Sequence, residues 1–378
     1  SDRAGNIYFS EASNNVIRKV STNGTVTTVA GNTVPGATGD GGPATAALLN
    51  NPRSLGINSY GEVYIADWGN NTVRKIDTNG IMRKVAGSGT YGFLGDGVAA
   101  NVAQITKPYI YVASDDNLYI ADVYNNRIRK VTPAGVISTV AGTGISGNTG
   151  NGGPALMAKM NPHGIGVDPA GNIYFNDSVS SVYSVMRKIN AVSDTINIIA
   201  NIWGQGFAFD TAGNVFFSDI GCYVRRINRF GGISIYVGNG DCVFSGDGGP
   251  ATAAGMKQPV GIAFDGALNM YIAEFGGSRV RKVNYFVAGV PNVDENTGTM
   301  SVYPNPATDA FTVELPSVKE AASVIITDLT GRTLTTRFIS ASNAGIKETF
   351  DVSRFSPSIY IVKATAGEHT YHEKIVVR

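Results

Sequence analysis

The feature that most limits what this chain can fold into is an internal repeat. Six segments align: GNIYFSEASNNVIRKV (5–20), GEVYIADWGNNTVRKI (61–76), DNLYIADVYNNRIRKV (116–131), GNIYFNDSVSSVYSVMRKI (171–189), GNVFFSDIGCYVRRI (213–227) and LNMYIAEFGGSRVRKV (268–283). Their aromatic anchors, Tyr8, Tyr64, Tyr119, Tyr174, Phe216 and Tyr271, recur at intervals of 56, 55, 55, 42 and 55 residues. A period of that length marks supersecondary units that stack or close radially. Each unit reads as a hairpin: an apolar stretch, a polar Gly/Asn turn, then a β-branched run such as Thr72–Ile76. A further strand precedes most hairpins (52–58, 108–114, 162–168, 204–210, 259–265), and another follows (24–31, 80–87, 135–142, 194–200, 231–238). We call the four strands a, b, c and d. Four short antiparallel strands per unit, repeated radially, is how a β-propeller protects its edges.

Composition agrees. Of 378 residues, 47 are Gly and only 16% are charged, against about 25% in typical soluble domains. Turn-rich β structure absorbs such a composition; a Lys/Glu-rich helical protein does not. Thirty basic residues against 29 acidic ones argue against a nucleic-acid partner. No stretch approaches 18 consecutive apolar residues, so no transmembrane segment is expected.

The motifs P-x-G-I-x-V-D, G-N-I/V-Y-x-A-D and N-N-x-V/I-R-K-V/I resemble those of the NHL-repeat propeller family over roughly residues 1–285. Six b–c pairs occur with only five a and five d strands. The expectation is an all-β, six-bladed NHL-type β-propeller that is N-terminally truncated, with about two strands (d, then a) missing before Ser1. An open ring of five and a half blades is the alternative. Inserts between d and the next a carry GDGG-like loops followed by Ala-rich runs; Pro43, Pro154 and Pro250 are expected at the first position of short helices. The inserts are expected to cover the face that carries the d–a and b–c loops.

From about Asn292 the grammar changes. Seven short alternating strands over 301–378 predict a small Ig-like β-sandwich. The order of motifs resembles the type A C-terminal sorting domain of type IX (Por) secretion of Bacteroidetes-like bacteria. Its carriers are Tyr303, Pro304, Asn305 and Pro306, then Asp328 and Gly331 in DLTGR, Tyr360 in SIYIV, and Lys374 in the terminal KIVVR. The resemblance implies the type IX secretion machinery as partner, an extracellular or outer-membrane-surface location, and removal of the tail after export. The domains are then 1–288 (propeller), 289–299 (linker) and 300–378 (sorting domain).

Each unit carries a basic pair on strand c and an acid at the end of strand b; strict repetition favours one ion pair per blade over a polyanion-binding ring. The GDGG aspartates Asp40, Asp96 and Asp247 read as turn and helix-cap residues, because a calcium loop needs more carboxylates. Arg53, Tyr109, His163 and Gln205, with Val260, occupy one position at the start of strand a. They are expected at the mouth of the central channel, as a ligand-binding ring. No catalytic residue, metal site or cofactor is identified: His163 alone in the propeller cannot build a zinc site. Cys222 and Cys242 are expected to pair as a disulfide in an exported protein. The function expected is a secreted binding or adhesion module for an extracellular protein or glycan. The alternative is a metal-assisted lactonase or lyase acting at the channel mouth.

Overall fold

The computed structural model describes residues 1–178, 184–210, 212–228, 230–284, 300–315, 321–328, 332–340, 345–366 and 369–377. The expected linker 289–299, the segment 285–292 and Gly331 lie outside the described residues. The chain divides into one unit, Ser1–Tyr285, and a second, Phe286–Arg378.

The first unit is propeller-like and all-β apart from single 3-10 turns. Its first sheet is β1 (Ile7–Glu11), β2 (Val16–Val20) and β3 (Val26–Ala30). The second is β4 (Pro52–Ile57), β5 (Val63–Asp67), β6 (Thr72–Ile76) and β7 (Met82–Ala86). The third is β8 (Pro108–Val112), β9 (Leu118–Asp122), β10 (Arg127–Val131) and β11 (Ile137–Ala141). The fourth is β12 (Pro162–Val167), β13 (Ile173–Ser178), β14 (Ser184–Ile189) and β15 (Ile196–Ala200). The fifth is β16 (Gly204–Phe209), β17 (Val215–Asp219), β18 (Tyr223–Ile227) and β19 (Ile233–Val237). The sixth is β20 (Pro259–Phe264), β21 (Met270–Glu274) and β22 (Arg279–Val283). Every pairing is antiparallel and sequential. The strands β4, β8, β12, β16 and β20 pack against one another in chain order, and β1 packs on β4. Glycine makes that approach possible: a Cβ on Gly164 would lie 2.3 Å from the Gln205 carbonyl, and one on Gly206 2.2 Å from that of Val260. Tyr111 and Phe209, from sheets that are not neighbours, meet edge-on at 5.8 Å between ring centroids.

Within each sheet the repeat residues have assigned tasks. The anchor tyrosine lies opposite the second basic residue of strand c, as in Tyr64↔Lys75 and Tyr119↔Lys130. The ammonium sits over the ring at 5.6 and 5.8 Å respectively. The first basic residue turns inward. Arg74, Arg129 and Arg187 are 2%, 0% and 0% exposed, which excludes them from any polyanion surface. Each meets the acid that ends strand b: Arg74–Asp67 at 3.6 Å, Arg129–Asp122 at 3.5 Å and Arg187–Asp177 at 2.8 Å. Burial nonetheless pushes the Asp67 and Asp122 carboxyls up to about 6.

The inserts depart from expectation in three ways. Besides lying against the b–c turns as expected, where Gly36 O accepts from Asn70 at 2.6 Å and Gly92 O from Asn125 at 2.7 Å, they also run along the outer strands. Gly41 donates to Met82 O and Met82 to Gly42 O, so the loop pairs with the outer strand of the following sheet. Gly97 with Ile137, and Gly152 with Ile196, repeat the arrangement. The physical reason is the unpaired edge of each outer strand, whose N–H and C=O groups the insert satisfies. Second, the Ala-rich runs form only one 3-10 turn each, such as Ala44–Ala46, with Pro43 extended just before it. Pro43 forms a bridge with Ile81, which keeps it out of the helix. Third, Asp40, Asp96 and Asp247 do not cap these turns. They accept from Arg74, Arg129 and Arg281 at 2.9, 2.8 and 2.6 Å.

The second unit has two sheets. One is β23 (Ser301–Tyr303), β24 (Ala310–Leu315) and β27 (Ile346–Asp351). The other is β25 (Ala322–Asp328), β26 (Thr333–Ile339), β28 (Ser358–Ala366) and β29 (His369–Val377). They share one apolar core that includes Phe311, Phe350, Ile326, Val362 and Ile375.

Arg129→Ala strips a fully buried carboxylate of its cation and is expected to cost about 3–5 kcal/mol. Lys130→Ala, one residue on but half-buried, is expected to cost less than about 1 kcal/mol. Urea unfolding of the two variants checks this; equal losses would contradict the inward and outward roles.

Candidate functional site

The second residues of β4, β8, β12, β16 and β20 form a rim: Arg53, Tyr109, His163, Gln205 and Val260. Two side-chain clamps place the starts of β4 and β8, and the first of them also places that of β12. The acid ending strand b accepts from the backbone N–H just ahead of the inner strand: Asp67 from Asn50, Asp122 from Thr106, Asp177 from Asn161, at 2.7, 2.6 and 2.7 Å. The left-handed Asn of the preceding sheet's b–c turn takes the next N–H, Asn15 from Asn51 and Asn71 from Lys107, at 2.8 and 3.0 Å. The rim therefore inherits its position from buried backbone bonds.

The structure brings three of the four expected ligand residues into side-chain contact. Arg53 Nη1 donates to the Tyr109 hydroxyl at 2.6 Å, and the Tyr109 and His163 rings are tilted at 6.4 Å. Gln205 adjoins them through its backbone, packed on Gly164. Two residues that sequence reasoning missed complete the group. Trp68, in the b–c turn after β5, carries the Arg53 guanidinium 4.0 Å from its ring centroid. The Lys107 ammonium lies at 4.0 Å from the same centroid. The available signal was that Trp68 stands where the other b–c turns carry Ala12, Val123, Ile220 and Phe275.

The electrostatics of this group are one-sided. Among the described residues no carboxylate forms an ion pair with Arg53 or Lys107, whereas the first arginine of each strand c basic pair meets one. Burial, and then the Arg53 charge, hold Lys107 below the usual lysine range. Burial also holds His163 below its ordinary value, so the ring is neutral at pH 7. His163 Nδ1 faces the Asn161 carbonyl at 3.1 Å; this contact assigns the proton to Nδ1 and leaves Nε2 as an acceptor.

Two donors beside the rim have no acceptor. Asn176, opposite His163 in the β12–β13 register, is fully buried. Its Oδ1 accepts from Gly204 N at 3.3 Å, and its Nδ2 is unpartnered. Trp203, directly before Gly204, has an unpartnered buried Nε1. Among the described residues no three His, Cys, Asp or Glu stand where they could hold a metal ion. Two hollows lie away from the rim. One, of about 640 Å³, is lined by Asp2, Tyr60, Tyr111 and Asp116 at the opposite ends of the inner strands. The other, of about 510 Å³, runs along β22 beside Phe244 and Asp247.

Cys222 and Cys242 are joined by a disulfide. It ties the b–c turn of the fifth sheet to the loop after β19. In the second unit the motif residues hold the last strand. Asn305 donates to the Lys374 carbonyl at 2.6 Å and accepts from Val376 N at 2.9 Å. Tyr303 donates to Glu314 at 2.6 Å. Pro304 and Pro306 follow cis peptide bonds. Asp328 pairs with Arg332 at 3.0 Å, and buried Tyr360 donates to Ser356 O at 2.7 Å.

Comparison with known proteins agrees with this division. Residues 301–378 match the secretion system C-terminal sorting domain, and residues 33–93 match the teneurin NHL domain. Teneurin-1 of Gallus gallus is 27% identical over 265 residues, 65% of this chain but 8% of that protein. The chain thus spans less than a tenth of the length of the curated relatives it matches first. Among solved structures, a streptogramin B lyase is 17% identical with a TM-score of 0.46, covering 75% of this chain and 76% of its own. An auxiliary nutrient binding protein from Bacteroides ovatus is 14% identical with a TM-score of 0.49, covering 74% and 66%. The chain joins an NHL-repeat, propeller-like unit to a Por-type sorting domain, and that domain marks it for export to the cell surface or extracellular space. No helix among the described residues is long and apolar enough to cross a membrane.

The disulfide closes a loop of 20 residues. In the chain-entropy account such a loop stabilises by about 3 kcal/mol. Thiol titration of unreduced protein is expected to find no free sulfhydryl, and Cys222→Ser/Cys242→Ser to unfold at lower urea; two titratable thiols would refute the pairing.

Proposed function

We propose that this protein is a secreted, surface-displayed binding module that engages its ligand at the rim of the inner strands. The observation that carries this reading is the joining of Arg53, Tyr109 and His163 from three successive sheets into one contact group. Convergent polar groups on a rigid scaffold, with no second role in packing, are the usual mark of a binding site. The ring is read as six-bladed. Ser1 Oγ donates to the Phe264 carbonyl at 2.7 Å, so the first and last sheets touch, which favours closure. Among the described residues, the insert 246–250 and the outer side of β22 lack the strand that the second to fifth sheets supply.

The sorting domain is read as an Ig-like sandwich of residues 300–378, separated from a 1–288 propeller by a short linker. It is recognised by the type IX machinery and removed after export. Residues 301–378 fused to a periplasmic reporter are expected to carry it to the cell surface in a host with that machinery, while the chain lacking them stays in the periplasm. Surface appearance of the shortened chain would refute the assignment.

The metal-assisted lactonase or lyase reading finds no donor set among the described residues, and no Asp or Glu occupies the five rim positions. The two readings separate in one experiment. The full chain is applied to an array of extracellular glycans and proteins, beside an Arg53→Ala/Tyr109→Ala/His163→Ala variant of unchanged melting temperature. The expected result is capture that the variant loses by at least about tenfold. Capture equal in both proteins, or metal-dependent turnover of a lactone panel, would overturn the binding-module reading.

A further inference from the structure

The rim holds two converging positive charges that no carboxylate among the described residues balances. The inward arginines of strand c, by contrast, have acidic partners. Arg74, Arg129 and Arg281 each meet two carboxylates, and Lys75 meets Glu62 at 2.8 Å. Arg53 and Lys107 meet none among the described residues. Both are half-buried and both are held on the single Trp68 ring. A flexible surface lysine would swing to solvent; this one is fixed beside a guanidinium that repels it. Of the Arg53 donors, only Nη1 has a protein acceptor, the Tyr109 hydroxyl. Charge-assisted bonds to a carboxylate or sulfate are the strongest that such donors can form.

A second, independent observation lies further along the rim, beside His163. The buried Asn176 Nδ2 and the Trp203 Nε1 are N–H donors without acceptors. Buried donors are rarely left so, and leaving one unmade costs free energy that an incoming acceptor recovers. Neutral His163 supplies the complementary group, a free Nε2 that accepts from a hydroxyl. Two cations, two N–H donors and one neutral acceptor together describe a ligand with an anionic group and several hydroxyl or ether oxygens.

Resting on the binding-module reading above, we infer that the rim is a site for an acidic saccharide. Its carboxylate or sulfate group engages Arg53 and Lys107, and its hydroxyl and ring oxygens engage His163, Trp203 and Asn176. A polynucleotide fits less well, because most basic residues of strand c are consumed in ion pairs or lie over tyrosine rings.

The test uses the full chain and three oligosaccharide probes of equal length: an oligogalacturonate, a sulfated galactan fragment and a neutral galactan fragment. Calorimetric titration is expected to show binding of at least one acidic probe and none of the neutral one. The two acidic arms tell carboxylate from sulfate. Arg53→Met and Lys107→Met are each expected to weaken that binding about tenfold or more. Arg83→Met, at an exposed pair with Asp77 away from the rim, is expected to leave it unchanged. A readout that needs no variant comes from fluorescence, because the only two tryptophans, Trp68 and Trp203, both stand at the rim. The acidic probe is expected to change their emission and the neutral probe not to. Equal binding of the neutral fragment, equal binding of an oligothymidylate, or indifference to both methionine variants would overturn the inference. Absence of acidic-saccharide binding, with array capture still lost in the triple alanine variant, would overturn this inference alone and leave the binding module standing.

Discussion

The buried carboxylate at the end of each second strand is the interaction on which the first unit depends. Asp67 shows how much it joins. It receives the backbone N–H of Asn50 at the approach to the inner strand, the Asn70 side chain in its own turn, and Arg74 on the next strand. One side chain thereby ties three strands and a loop. Burying such a charge is expensive, and the raised Asp67 and Asp122 carboxyls record that cost. The return is positional: β4, β8 and β12 begin where these carboxylates put them.

The rim is the product of that placement. Because a buried bond fixes the residue ahead of β4, β8 and β12, the second residue of each of these strands projects from a defined point and is free to vary. Arg, Tyr and His occupy it in turn without disturbing the frame. The scaffold repeats and the rim does not, which is the division of labour expected when a fold is reused for different ligands.

That division also governs what was legible from the sequence. The anchors, the strand order, the acid–Arg pairs and the rim positions all recur, so alignment of the units exposed them. The sorting motifs were legible because Asn305 and Tyr360 make specific bonds that constrain residue type, Tyr360 to nearby Ser356 and Asn305 to the last strand. Trp68 and Lys107 were missed because each occurs once at its repeat position, and their meeting depends on two consecutive sheets. The outer pairing of the inserts was missed for a related reason. Gly41 pairs with Met82, some forty residues later, and no local pattern announces a partner that far along the chain. The capping role given to Asp40 failed because its partner, Arg74, lies equally far away.

The outer pairing of the inserts changes how such a repeat comes apart. An array in which each unit contacts its neighbours only through packed faces can lose end units piecemeal, with partial structures populated along the way. Here an insert leaves one sheet, hydrogen-bonds the outermost strand of the next, and then supplies that sheet's innermost strand. Each sheet is thus bracketed at both margins by a single stretch of chain. Opening the second sheet at its outer margin withdraws Gly41 and Gly42, and with them the lead into β4. The cooperative unit is therefore larger than one sheet across the first four sheets. The three-residue step from β15 to β16, which has no such bracket, is the natural seam.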